Sequence, residues 1–283
     1  MSAACIVRHE GPSGPWLVAH RASALPVRDC VPAYVGYAER TLQPMRRLEV
    51  PHPNITVIIN LGVPLAVHAP ALDRAGATFR SFAAGLFDTA ALTESVGHAA
   101  GIELNLTPLG MWRLMGVPMH SLMNRVVGLD ALLGQSAMRL EERLREERSW
   151  DRRFDVLDRV LTARLNTRAD APIGVRWAYM QLLRHPKPMA VSAIASELQW
   201  SRRRLVLAFR EHIGMTPKSA ARVIRFDRVV RRVRAVRPAP WSTLALDCGY
   251  ADQAHMSREF REFAGMTPSE YLHRTTAGGV TAD

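Results

Sequence analysis

The sequence predicts an α+β protein in two parts: a β-rich N-terminal half, then an all-α C-terminal third. Three observations carry that expectation. Short β-branched or alternating runs bounded by Gly and Pro fill roughly the first 110 residues. From residue 136 onward apolar positions recur at helical spacing among charges. A ten-residue run beginning at Ala208 then recurs at an offset of 51.

The β candidates are Trp16 to Ala19, Ile55 to Asn60 and Ile102 to Leu106, and short strands separated by turns favour a barrel or sandwich. The texture changes at Pro108. Met111 to Met115 and Ser121 to Val126 read as short helices, with Gly128 and Gly134 as punctuation. Residues 136–165 form the first long helical stretch. Met138, Leu140, Leu144, Phe154, Leu157, Val160, Leu161 and Leu165 are its apolar positions, and Glu141 and Arg145 form a supportive i,i+4 pair. Such a helix either packs on one domain or offers a dimerisation surface. Asn166 to Pro172 has no apolar periodicity and reads as a linker. The expected division is 1–134 for a regulatory, effector-binding or dimerisation domain, 135–171 for a helical connector, 172–274 for a third unit and 275–283 for a disordered tail.

Composition narrows the function classes. A chain of 283 residues with 48% hydrophobic and 22% charged residues has ordinary globular values, which exclude disorder and disulfide miniproteins. The apolar stretch Ile55 to Val67 is interrupted by Asn60, Gly62 and Pro64, far short of the roughly 20 residues of a membrane span. No signal-like N-terminus is present, and Cys5, Cys30 and Cys248 suit neither a disulfide framework nor a zinc knuckle. A cytoplasmic soluble protein without membrane attachment is expected. Of the formal net charge of +11, residues 1–134 hold +1, residues 135–169 hold +2 and residues 170–283 hold +8. A basic C-terminal third fits a polyanion, because clustered cations release counterions from nucleic-acid phosphates.

The repeat sharpens this. Ala208 to Pro217 and Glu259 to Pro268 agree at seven of ten positions. In the first copy, Val191 to Leu198 is a short helix with Ile194, Ala195 and Leu198 on one face. Gln199 and Trp200 make a tight turn. Ser201 caps a second helix with a Leu205, Ala208, Phe209 stripe, which ends at Gly214. Thr216 and Pro217 start the next helix. In the second copy the sequence is Thr243 to Asp247, a turn at Cys248 to Tyr250, and Asp252 as cap. Met256, Glu259, Phe260 and Phe263 follow, then Gly265 and Thr267-Pro268. Helix, tight turn and basic helix is the helix-turn-helix pattern.

In the run from Ile194-Ala195 through Ser201, Leu205, Phe209, Gly214, Pro217 and Arg225-Phe226, residues 172–274 resemble the DNA-binding domain of the AraC/XylS family of bacterial transcriptional regulators. The match continues at Ala245, Cys248-Gly249-Tyr250, Asp252-Gln253, His255, Ser257-Arg258, Phe260, Gly265, Thr267-Pro268 and Tyr271. The resemblance implies seven helices, with two helix-turn-helix units bridged by a long helix from Pro217 to Val236. Recognition helices at Ser201–Ile213 and Asp252–Phe263 would enter successive major-groove segments. It implies a cupin-like regulatory domain in the N-terminal half, with Gly101 to Gly134 resembling the end of such domains. Double-stranded DNA and RNA polymerase are the implied partners, with a small-molecule effector and a homodimer as further ones, and activation among the roles.

The DNA-binding residues expected are Ser201, Arg202, Arg203 and Val206 in the first unit, and Gln253, Ala254, His255, Ser257 and Arg258 in the second. Arg suits guanine O6/N7, and Arg258 falls where the family has a base-contacting arginine. The chain departs from the pattern at Leu207, the equivalent position of the first copy, and at Ala220, where the second has Tyr271. Val206 and Leu207 then meet thymine methyls, or the first unit contributes phosphate contacts. Of the bridging-helix arginines 222, 225, 228, 231, 232 and 234, some are expected on phosphate and the rest at the surface or in ion pairs.

No cofactor is implied. The histidines at 9, 20, 52, 68, 98 and 120 show no His-x-His, His-Glu-x-x-His or Cys-x-x-Cys spacing, so no metal is expected. No nucleophile elbow is present, and the chain is expected not to be an enzyme. Trp16, Trp112, Tyr34 and Tyr37 either line a pocket or are core. Two other readings compete with a sequence-specific regulator. One is a cupin-like enzyme fused to a DNA-binding module; the other is a weakly selective architectural DNA binder.

Overall fold

A computed structural model describes residues 3–11, 14–69, 72, 76–185, 189–235 and 240–276. Two long strands organise the N-terminal half: β3 (Ala33–Glu49) and β8 (Ala91–Leu106), paired antiparallel along their whole length. β1 (Cys5–Gly11) and β2 (Gly14–Ala22) extend the sheet beyond β3. On the far side of β8, its C-terminal part pairs with β4 (Ile55–Asn60) and its N-terminal part with β5 (Leu65–His68). β6 (Ala77–Phe79), β7 (Phe82–Ala84) and β9 (Val126–Gly128) complete an antiparallel sheet of nine strands.

The sheet rolls because its long ladder bends. The register of β3 against β8 shifts between Thr41 and Met45, and Gly97, opposite Thr41, takes a positive φ of 86°. A β-bulge beside a left-handed glycine bends both strands at one level. Alternation then sorts the side chains. Tyr34, Ile55, Ile102 and Leu104 are buried on one face, in the core that also holds Phe154 and Leu157 of a helix. Tyr37, Glu39, Glu49, Thr56, Ile58 and Glu103 line the hollow of the other face.

Helices α1 (Leu25–Arg28), α2 (Pro108–Met115) and α5 (Trp150–Leu165) cover the first face. Asp158 of α5 fixes the docking. It accepts from Arg21 (2.7 Å), Tyr34 Oη (2.7 Å) and the Ala24 amide (2.8 Å). Arg21, almost fully buried, also bonds Asp155 at 2.6 Å, so the charge is satisfied where it lies.

Two expected elements differ. Ser121 to Val126 is not a helix: a 3-10 turn covers Met119–Leu122, and Val126 opens β9. The stretch 136–165 is two helices, α4 (Gln135–Glu146) and α5, because Ser149 breaks the run and caps α5 by accepting from the Arg152 amide at 3.3 Å. α3 (Leu129–Leu133) precedes them. α4 packs through Ala137, Glu141 and Leu144 and turns Met138, Arg139, Glu142, Arg143 and Glu146 to solvent. That outer face is charged rather than apolar.

Seven helices follow among the described residues: α6 (Ile173–Arg184), α7 (Val191–Glu197), α8 (Arg202–His212), α9 (Pro217–Arg234), α10 (Trp241–Asp247), α11 (Gln253–Ala264) and α12 (Pro268–Thr276). α12 thus takes in the first two residues of the expected tail, and 277–283 lie outside the described residues. One core cluster runs from Ala19 to Tyr271, so the two halves pack together.

Candidate nucleic-acid interface

Each helix-turn-helix copy is built by local rules. Ser201 Oγ accepts from the Arg204 amide at 3.1 Å and starts α8; Asp252 accepts from the His255 amide at 2.7 Å and starts α11. A cap of this kind contributes about 1 kcal/mol. The turns close alike, through Trp200 N–H to Ala195 O and Tyr250 N–H to Ala245 O, each 2.9 Å. The left-handed residue in each turn differs: Gln199 (φ 53°) in the first and Gly249 (φ 88°) in the second. Ala251 is the extra residue of the second copy, lying between the closed turn and the cap.

Leu205 and Phe209 bury one face of α8; Met256, Glu259, Phe260 and Phe263 bury one face of α11. The opposite faces carry the expected site residues. Arg202, Arg203 and Leu207 are exposed on α8, with Val206 partly buried beside them. Gln253, Ala254 and Arg258 are exposed on α11, while His255 and Ser257 are partly buried. His255 stands edge-on against Tyr250, ring centroids 5.3 Å apart, which orients its imidazole. No ion pair engages Arg202, Arg203 or Arg258 among the described residues. Arg204 instead lies over Trp200, 4.4 Å from the ring centroid.

The bridging-helix arginines behave otherwise. Arg222 bonds Glu259 (2.8 Å) and Glu262 (2.6 Å). Arg225 bonds Glu259 (2.7 Å) and covers the Tyr250 ring at 4.5 Å. Arg228 donates to Leu183 O (2.7 Å), and Arg231 pairs with Asp227 (2.8 Å). Arg232 pairs with Asp247 (2.7 Å), and Arg234 donates to Tyr271 Oη (2.9 Å). Five of the six tie α9 to another element, and Arg231 pairs within α9 itself. Those five act as struts, while Arg202, Arg203 and Arg258 on the recognition helices have no ion-pair partner among the described residues. Glu259 is the hub. Burial works against its charge, yet the hydrogen bonds from Arg222 and Arg225 hold its carboxyl below the usual range. Sequence reading missed this role, although Glu259 stands on a core stripe where copy one has Ala208.

The N-terminal half grips the first copy. Trp112 of α2 lies 4.7 Å from the His212 ring at the end of α8, and Met119 packs against Gly214. A Cβ on Gly214, whose φ is +102°, would come within 3.0 Å of Met119 O. Tyr179 Oη of α6 donates to Pro53 O at 3.0 Å. Trp112 is thus an interface residue and Tyr34 a core residue; Tyr37 lines the hollow, and Trp16 stays partly exposed on β2.

That hollow encloses about 480 Å³. Its wall is Ile58, Val67, Phe82 and Val126, and its rim includes Asp227, Val230, Arg231 and Arg234 of α9. His52 stands at this junction. Burial and the nearby Arg231 and Arg234 disfavour its cation and push its pKa down to about 4. No group of three or more metal-ligating side chains occurs among the described residues, and none of their helices is long and apolar enough to cross a membrane.

A helix-turn-helix domain family matches residues 194–274. The curated relative found, the HTH-type transcriptional activator RhaR of Salmonella schwarzengrund, is 31% identical over 87 residues, which is 31% of this chain and 30% of that protein. The match therefore spans less than a third of the relative's length. Among solved structures, unsaturated fatty acid bound ToxT from Vibrio cholerae is 12% identical at a TM-score of 0.47, covering 96% of this chain and 99% of that one. The DNA-binding domain of AdpA, in complex with a target DNA, is 23% identical at a TM-score of 0.33, covering 37% of this chain and 91% of that one.

Proposed function

We propose that this chain, whose residues 194–274 match a helix-turn-helix domain family, is a regulator of the AraC/XylS type that controls transcription by binding specific DNA sequences through α8 and α11. The observation that carries this is the division of labour among arginines. Five on α9 brace other elements and a sixth pairs within the helix, whereas Arg202, Arg203 and Arg258 are held out on capped helices without an ion-pair partner among the described residues. Ser201, Arg202, Arg203 and Val206 are the proposed DNA contacts of the first unit; Gln253, Ala254, His255, Ser257 and Arg258 are those of the second. Arg258 has the reach for a guanine edge.

The N-terminal half is proposed as a sensor rather than an enzyme, with the hollow as its effector site. A ligand there touches α9 as well as the sheet, and it changes DNA binding only by preferring one arrangement of the two halves. Contact with RNA polymerase, homodimer formation, a cytoplasmic location and the division at 134, 171 and 274 belong to the same proposal. A weakly selective architectural binder is the second reading, favoured by one observation: Leu207, 55% exposed, stands where the second copy has Arg258.

Retention of fragmented genomic DNA by the full-length chain at about 0.15 M salt separates the two readings, since nonspecific affinity collapses there. A few sharply enriched sites are expected. Uniform retention would favour the architectural binder.

A further inference from the structure

The hollow's own charges indicate what it binds. Two pairs are neutralised within the chain, Glu39 with Arg47 (2.5 Å) and Asp227 with Arg231 (2.8 Å), while Arg234 at the rim has the neutral Tyr271 Oη as its partner (2.9 Å). Two carboxylates are left with neutral partners alone. Glu103 accepts from Asn105 Nδ2 at 2.6 Å, and Glu49 accepts from the Thr93 hydroxyl at 3.1 Å. Both line the hollow, from opposite ends of the β3–β8 ladder. Tyr37 lies by Glu103, close against Gly101, where a Cβ would meet its hydroxyl at 2.7 Å. Ser95, 4% exposed on the same inward set of β8, has a hydroxyl with no hydrogen-bond partner among the described residues.

Resting on the sensor reading above, we propose that the hollow takes an organic ammonium ion with an apolar body, its charged head on Glu103 and its body against Ile58, Val67, Phe82 and Val126. A cation there gives Glu103 the ion-pair partner it lacks among the described residues. A carboxylate in the same place would face the like charge of the half-buried Glu103, which is unfavourable.

The protonation of Glu103 supports the assignment. Burial raises its pKa first, Asn105 works against this, Glu49 adds to it and His20 offsets part of it. Tyr37 is pushed up to about 12 by burial, with Glu103, Glu39 and Glu49 adding to that and Arg47 opposing it, so it remains a donor. An ammonium head stabilises the ionised Glu103, and acidification through the raised titration weakens binding.

The test is calorimetric titration of the full-length chain with n-octylamine, n-octanol and octanoate, each below its aggregation concentration. The amine is expected to bind at least about tenfold more tightly than the alcohol, with octanoate weakest. Glu103→Gln should remove about tenfold of the amine affinity while leaving thermal unfolding cooperative. Should that variant fail to fold, Glu49→Gln and the pH dependence of the amine affinity of the unaltered chain read the same point. Octanoate binding as tightly as octylamine, equal binding of all three, or an amine affinity insensitive to both substitutions and to pH would overturn the proposal. Sharp genomic sites without amine binding would sink this inference alone; amine binding without enriched sites would sink the regulator reading alone.

Discussion

The two helix-turn-helix copies share caps, turns and core stripes, yet they are held in different ways. Copy two is anchored inward: Glu259 of α11 collects Arg222 and Arg225 from α9, and Arg225 covers Tyr250 at its turn. Copy one has Ala208 in place of that glutamate and is anchored outward, to the N-terminal half through Trp112, His212 and Met119. A unit braced by its own domain keeps its geometry whatever the other half does. A unit braced across the interface does not. The difference teaches that copy two is suited to constant base reading, and copy one to being moved by the sensor.

The largest expected effect tests the inward brace. Glu259→Ala leaves two arginines without their shared carboxylate and should cost about 3 kcal/mol, read as a fall in the unfolding midpoint. An unchanged midpoint would mean that α11 is held by its apolar stripe alone. Next comes the reading helix: Arg258→Ala should cost about 1–3 kcal/mol at one base pair and relax specificity there. Leu207→Ala, at the matching position, should alter affinity by less than Arg258→Ala does. Trp112→Ala tests the outward brace. It should remove about 1 kcal/mol of ring contact and lower amide protection in α8 while leaving α11 unchanged; equal loosening of both would erase the contrast.

The smallest effect is a pH dependence at the junction. His52 titrates near 4 in the folded chain, below its ordinary 6.5. On acidification the unfolded chain takes up this proton first, so the stability tied to the neutral imidazole is lost as pH falls through that window. His52→Asn should therefore flatten the decline of the unfolding midpoint between about pH 6.5 and pH 4. An unaltered decline would assign it to other groups.

The C-terminal third was legible in sequence because its determinants are local. Caps, left-handed glycines and i, i+3, i+4 stripes act within a few residues, and the repeat displayed each of them twice. Ser201, Asp252, Gly214 and Gly265 stand in the roles their sequence neighbours imply. The N-terminal half was legible only as β texture. Its long strand β3 was missed, since Tyr37, Glu39, Arg47 and Glu49 line the hollow in alternation, and a core-side face made of polar residues reads as loop. The break at Ser149 was hidden because apolar spacing continues on both sides of it. Among the arginines, composition separated none. Arg225 and Arg258 are alike in sequence, and only the carboxylate across the fold makes one a strut and leaves the other free.

The measurement that bears most directly on these roles uses a selected DNA site and its single-base variants, with the full-length chain, Arg258→Ala and Arg225→Ala compared at one salt concentration. Arg258→Ala should lose discrimination at one base pair and keep it elsewhere. Arg225→Ala should lower the unfolding midpoint and weaken all variants alike. If Arg258→Ala left every site's affinity unchanged, or Arg225→Ala alone altered base preference, the placement of α11 as the reading helix would be contradicted.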